Sequence, residues 1–277
     1  MKKKKNQKTN NKKEPVVDTT IIEHMACLEV NRLILQPPFH LVSDIQWNDK
    51  GVSFDGDIEV YNSQKIEKNN FVDKVPVQVK GTTTPKKVYS SGKIRHSVKK
   101  DDLEVYYKHG RGVLYFVVTI IPISYKTQAY YHMLAPLDIK GLLLELERSG
   151  NESITIDFSE LKKGSLEKIC HGMIHTVKKQ PLQYIEANEE MDFTHYQVEF
   201  VNVDADSFNI FETTAYIYGF NSDSIGKPVE ATKVTEVRKD HTESVSLNNE
   251  ENCIKYYTLE TEKEYTINIE NTLIIKY

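Results

Sequence analysis

Residues 51–84 read GVSFDGDIEVYNSQKIEKNNFVDKVPVQVKGTTT. Two strand-like runs, Val52–Tyr61 and Lys74–Lys80, flank the polar stretch Asn62–Asn70, a pattern that predicts a hairpin with a long polar loop. Successive side chains of a strand leave opposite faces, so Gln78 and Lys80, two apart, share one face at the end of the second run. Asp55 and Asp57 stand at the start of the first run, and alternation sends Asp55, Asp57 and Glu59 to one side of it. A hairpin brings those two ends together. A lysine pointing with a metal-type ligand is out of place in a core strand and suits a phosphate.

Upstream, Asp18 is the expected N-cap of a helix that runs to about Leu35 and is stopped by Pro37 and Pro38. This helix is apolar nearly all round, which predicts extensive burial. At 100° per residue Ile21, Ile22, Met25, Ala26, Leu28 and Leu33 mark its main face, and Glu29 falls near the middle of it. A carboxylate there needs a partner. Downstream, residues 81–98 read as loop and Asp101–His109 as a short helix. Gly112–Ile123 is a continuous apolar run, expected as a buried central strand. A strand at Ala129–Leu134, a helix at Leu137–Arg148, a strand at Ser153–Phe158 and a helix at Leu166–Lys179 follow. Interleaved helix and strand predict an α/β domain over residues 18–180.

Beyond residue 180 only strand-like runs separated by Asn, Asp, Ser and Gly remain, so residues 181–277 read as an acidic, mainly β domain, a small sandwich. Residues 1–17, rich in Lys and Asn, read as a disordered basic tail. The ending on an apolar strand gives the expectation that this is the front of a longer polypeptide.

Charge is uneven along the chain. Residues 1–13 hold seven lysines and no acid; residues 181–277 hold 7 basic and 19 acidic side chains. A polyanion is therefore expected at the N-terminal two thirds. Residues 80–111 carry nine Lys or Arg against three acids, with Tyr89, Tyr106 and Tyr107 among them. Lys86, Lys87, Lys93, Arg95, Lys99 and Lys100 are the candidate phosphate contacts, and the tyrosines are candidates for stacking on bases. No apolar run is long enough for a membrane span and no apolar segment follows the N-terminal lysines as in a signal peptide. Cys27, Cys170 and Cys253 are scattered and odd in number, which suits reduced thiols in a cytoplasm. His171 and His175 lie four apart, but without a second ligand cluster they are expected to be satisfied or surface residues rather than a zinc site. There is no P-loop and no nucleophile elbow.

Phosphodiester hydrolysis uses a hard cation on oxygen ligands and a lysine beside the phosphate. The early helix carboxylate, the Asp of F-D-G-D-I-E-V and the strand P-V-Q-V-K-G-T together resemble the PD-(D/E)XK nuclease superfamily. Within it they look like a prokaryotic branch of unknown function, with G-I-D-G-x-I-E and V-Q-V-K patterns, found in antiphage-defence effectors. The stretch GVLYFVVTI…AYYHMLAPLDIKGLL is also similar, and the resemblance covers residues 18–180. It implies a restriction-endonuclease-like mixed sheet flanked by helices, and an endonuclease dependent on Mg²⁺ or Mn²⁺ that acts on DNA before RNA. Asp55 matches the metal-binding Asp, and Gln78-Val79-Lys80 matches the acid-x-Lys motif. Glu29 is the first candidate for the helix carboxylate and Glu23 the second. Asp55, Gln78 and Glu29 are then metal ligands, and with Lys80 they form the catalytic set. Gln78 replaces the superfamily's usual acid and brings no charge, although the branch also carries Gln there. The alternative is an inactive nuclease-fold module that binds nucleic acid or scaffolds a protein complex. The β domain is expected to mediate a homo-oligomer or a partner-protein assembly.

Overall fold

The computed structural model describes residues 18–46, 53–83, 92–121, 124–187, 193, 195–202, 213–221, 226–238, 246–250, 254–258, 266–269 and 273–276; the basic tail, Lys86, Lys87, Tyr89 and Cys253 lie outside them. Helix α1 (Thr19–Ile34) begins where expected: the Asp18 carboxylate accepts the Thr20 N–H at 2.8 Å. Strands β1 (Leu41–Ile45), β2 (Gly56–Tyr61) and β3 (Phe71–Thr82) form an antiparallel meander. Then come β4 (Lys93–Lys99), α2 (Lys100–His109), β5 (Val113–Ile120), β6 (Thr127–Leu134), α3 (Pro136–Ser149), β7 (Ser153–Glu160), α4 (Leu166–Lys179) and the short α5 (Leu182–Ile185).

The first seven strands make one mixed sheet in the order β1-β2-β3-β5-β6-β7-β4, with β5 parallel to β3. All eight residues of β5 are buried, as a strand covered on both faces must be. Two cores separate its faces. Val75, Val77 and Val79 of β3 point to the core shared with α1 and α4. The opposite core holds Tyr115 and Val117 of β5, Leu103 and Tyr106 of α2 and Ile139 and Leu146 of α3. Strand β4 was expected to be loop. It is instead the far edge of the sheet, and its Ile94 and Val98 enter this second core. The His96 ring lies 6.1 Å from Tyr115, so the sheet curls and brings β4 back over the face that carries Gln78.

Helix α1 is rotated from its expected setting. Ala26, Cys27, Val30 and Ile34 are its buried residues, whereas Ile21 and Leu28, placed on the main face by periodicity, are 52% and 56% exposed. A helix apolar on nearly all sides has no single face that periodicity can select. Burying Val30 and Ile34 contributes about 2 kcal/mol each.

A second, antiparallel sheet is centred on β8 (His195–Phe200), β9 (Thr214–Phe220) and β10 (Lys227–Arg238). It continues through β11 (Ser246–Glu250), β12 (Ile254–Thr258), β13 (Thr266–Ile269) and β14 (Leu273–Lys276), in the order β11-β12-β8-β9-β10-β13-β14. Strand β10 pairs with β9 over Lys227–Lys233 and with β13 over Val234–Arg238, with a break in register between Val234 and Glu236. The sheet seats on the first unit through Ala135, Leu137, Ile185, Val201, Tyr216 and Tyr218. The seam is also polar. Tyr216 donates to Asp138 at 2.7 Å, and buried Gln180 accepts the Leu137 N–H and donates to Tyr218. Glu199, with no solvent exposure, lies 2.7 Å from His175 and 2.9 Å from Lys179. Cys27 and Cys170 are buried and in no disulfide. Among the described residues no helix is long and apolar enough to cross a membrane.

Candidate active site

Gly56 opens β2 with φ +139°, and a Cβ there would meet the Asp44 carbonyl oxygen at 1.9 Å. The close β1–β2 crossing that only glycine permits fixes Asp55 just before the strand. The Asp55 backbone bridges both neighbours: its N–H donates to the Val77 carbonyl at 2.9 Å and its carbonyl accepts the Gln46 N–H at 3.0 Å. The side chain turns to the end of β3. Asp55 Oδ2 accepts the Val79 N–H at 2.7 Å and lies 2.5 Å from Gln78 Nε2. The hairpin thus does what residues 51–84 predict, and Asp55 and Gln78 touch.

Gln78 is buried, and its Oε1 accepts from the Tyr106 hydroxyl at 3.3 Å. Tyr106 is fully buried between Leu103 and Phe54, whose ring centroid is 5.1 Å away. Burial raises its phenol far above the ordinary value, so the hydroxyl keeps its proton. This overturns its expected place on a nucleic-acid surface: a ring without exposure cannot stack on a base. Phe54 also meets His109 at 4.9 Å; burial, then Arg111, lowers the His109 pKa and favours the neutral ring.

Lys80 lies two residues beyond Gln78 on the same strand, so it leaves the same face; it is partly exposed. Asp57 and Glu59 of β2 pair with Pro76 and Lys74 of β3 and so share that face too. Glu59 is engaged by Lys74 at 2.7 Å and by the Tyr61 hydroxyl at 2.8 Å, which hold its carboxyl below the usual range.

Glu29 is not brought to this group. It sits on α1, which packs against the other face of the sheet, and Arg32 holds both its oxygens at 2.7 and 2.8 Å. Glu23, the second candidate, stands seven residues before buried Val30 and therefore on the sheet-facing line of α1. Its neighbour Ile22 abuts β3 at Gly81, where a Cβ would meet the Ile22 carbonyl oxygen at 2.6 Å. The turn carrying Glu23 thus meets the end of the Gln78–Lys80 strand. The buried side of α1, unreadable in its periodicity, was the missing signal.

Among the described basic residues, four belong to β4 and the start of α2 rather than to the strand of Lys80. Lys93, Arg95 and Lys99 alternate with inward Ile94, His96 and Val98, so they line the outer side of β4. Arg95 pairs with Asp157 at 3.5 Å. Lys93 and Arg95 face hollows of about 220 and 440 Å³ towards the second sheet, whereas Lys100 faces one of about 560 Å³ beside α3. His171 and His175 have carboxylate neighbours, Glu167 and Glu199.

The donor set bears on a cation. Among the described residues no three His, Cys, Asp or Glu side chains gather as a cation-binding group. Mg²⁺ keeps several waters and commonly takes one or two carboxylates plus substrate phosphates. Asp55 offers one carboxylate to that sparse demand, whereas Gln78 turns its Nε2 to Asp55 and its amide oxygen to Tyr106. No family model, no curated protein and no solved structure matches the chain.

Proposed function

We propose that the chain is a PD-(D/E)XK-type endonuclease that hydrolyses phosphodiester bonds of DNA, with RNA as second substrate, using Mg²⁺ or Mn²⁺. The observation that carries this reading is the contact of the Asp55 carboxylate with Gln78, with Lys80 on the same face two residues on. The meander β1-β2-β3, the crossover helix α2 and the parallel strand β5, flanked by helices, support the restriction-endonuclease-like reading of the sheet.

Asp55, with Gln78 beside it, would hold the cation, which would supply Lewis-acid activation of water and neutralisation of phosphate charge. Lys80 orients the attacking water or stabilises charge that develops on the phosphate. Glu23, on the turn of α1 that abuts Gly81, is the remaining candidate for the helix carboxylate. The resemblance alone supports a role in antiphage defence, and the scattered cysteines support a cytoplasmic setting. The buried seam leaves the outer strands of the acidic sheet as the surface for self-assembly or a partner protein.

A second reading, an inactive nuclease fold that binds nucleic acid or scaffolds a complex, draws on the uncharged Gln78 and its N–H at Asp55. Incubating the purified chain with plasmid DNA and with structured RNA, each in Mg²⁺, Mn²⁺ or EDTA, separates them. The nuclease reading expects cation-dependent cleavage, faster on DNA. Salt-sensitive binding without cleavage, unaltered by Asp55→Ala, belongs to the second reading.

A further inference from the structure

We propose that the open end of the β5–β6 hairpin is a binding track for a single DNA strand, with Lys126 on a phosphate and Tyr125 stacked on an unpaired base. The proposal rests on the nuclease reading and adds to it the strand state of the substrate.

The register of the sheet places this track. Gln78 and Lys80 of β3 stand beside Tyr115 and Val117 of β5, and Thr82 stands beside Thr119. Across the hairpin Thr119 pairs with Gln128, and the next step on this face joins Ile121 to Lys126, whose carbonyl accepts the Ile121 N–H at 2.9 Å. Paired residues share a face and alternate residues repeat it, so Lys80, Thr82, Thr119, Gln128, Ile121 and Lys126 lie on one side of the sheet. From Val117, beside Lys80, to Ile121 is four residues, a path of about 13 Å. A stacked strand repeats about every 3.4 Å, so the path spans about four nucleotides, and fewer of an extended strand.

The far end of the track has the chemistry that takes an unpaired base. Ile121 and Tyr125 are 54% and 64% exposed, large apolar groups standing in solvent just past a strand that is buried throughout. Tyr125 has φ +53°, a conformation that bulky residues rarely adopt, and its N–H donates to the Ile121 carbonyl at 2.7 Å. The turn thus presents the ring at a fixed place, so little freedom is lost when a base stacks on it. A base inside a duplex already has both faces covered, which favours an unpaired one. Lys126 is exposed and, among the described residues, pairs with no carboxylate. Between Lys80 and Lys126 the row of Thr82, Thr119 and Gln128 brings hydroxyl and amide groups and no acid; Glu160, opposite Tyr130 on β7, is the acid that adjoins it. Two cations with neutral polar groups between them match the phosphates of a strand running from Lys80 to the hairpin end.

The test uses the full chain with a fluorescent single-stranded DNA oligonucleotide and its duplex as probes. Anisotropy in EDTA reads binding, and cleavage of the same probes is read in Mg²⁺ and in Mn²⁺. The proposal expects Tyr125→Ala to weaken single-strand binding roughly 10-fold or more, and Tyr125→Phe, which keeps the stacking ring, to change it less than about twofold. Duplex binding stays within about twofold for both. Lys126→Ala weakens single-strand binding and lowers its salt dependence. One abasic position along the oligonucleotide weakens binding by the unmodified chain and leaves binding by Tyr125→Ala unchanged. Absence of single-strand binding by the unmodified chain overturns the track, as does an equal loss on both probes or no loss on either. Cleavage that proceeds with any of those results leaves the nuclease reading standing. The expected binding pattern without cleavage in either cation overturns the nuclease reading and keeps the track.

Discussion

At the scale of single residues, the contact of Asp55 with Gln78 was legible, because period-two alternation and a hairpin suffice to place it. Glu29 was not, because the side of α1 that is buried is chosen by the fit of Val30 and Ile34 to the sheet, and the apolar residues on its other sides conceal that choice. Tyr106 was misread for a related reason: a tyrosine among lysines looks exposed until the helix carrying it is known to bury Leu103 and Tyr106 together. Asp138, which no motif marks, yields a pH prediction. Burial raises its carboxyl from 3.8 to about 7, against the opposing hydrogen bonds from Tyr216 and the Ala135 N–H. Between roughly pH 4 and pH 7 the folded chain therefore keeps a proton that the unfolded chain has released, and stability falls as pH rises through that window. Its share of that fall is about 2 kcal/mol once its partial contact with solvent is allowed for. Urea unfolding at a series of pH values should show a shallower decline over this window for Asp138→Asn than for the unmodified chain. Equal slopes for the two chains would show that Asp138 is not the group responsible.

At the scale of elements, β5, α2, α3 and α4 follow from the sequence, because each is a single long pattern. Strand β4 was hidden. Its text KIRHSVK alternates Ile94, His96 and Val98 inward, but the Thr, Gly, Ser and Pro before it gave the whole stretch the look of a loop. Strand β1, only five residues long, carries too short a pattern to stand out between Pro38 and the hairpin. The packing of α1 on β3 depends on Gly81, where any side chain meets the Ile22 backbone. Gly81→Ala should therefore lower the unfolding free energy by about 1–3 kcal/mol by pushing the helix from the strand that carries Gln78 and Lys80. Chemical denaturation measures this, and an unchanged midpoint would mean that the helix yields without cost.

At the scale of the whole molecule, the acidic sheet is locked to the α/β unit by an ion cluster that the sequence shows only as separate His, Lys and Glu residues. Glu199 is wholly buried between His175 and Lys179. Breaking a buried pair leaves a charge uncompensated, so Lys179→Met should destabilise the chain by about 3 kcal/mol, whereas exchanging the exposed Lys178 should cost little. Thermal unfolding of the two variants side by side measures the difference; equal losses would remove the cluster from the account. This cluster and the buried seam join the second sheet to the unit that bears Asp55, Gln78 and Lys80. The central claim is that those three residues cleave phosphodiester bonds, and the most direct measurement is the initial rate of Mn²⁺-dependent DNA cleavage by the unmodified chain and by Lys80→Ala. The account predicts cleavage by the former and a rate lower by roughly 100-fold or more in the latter, with DNA binding retained. Cleavage at equal rates by the two chains would contradict it.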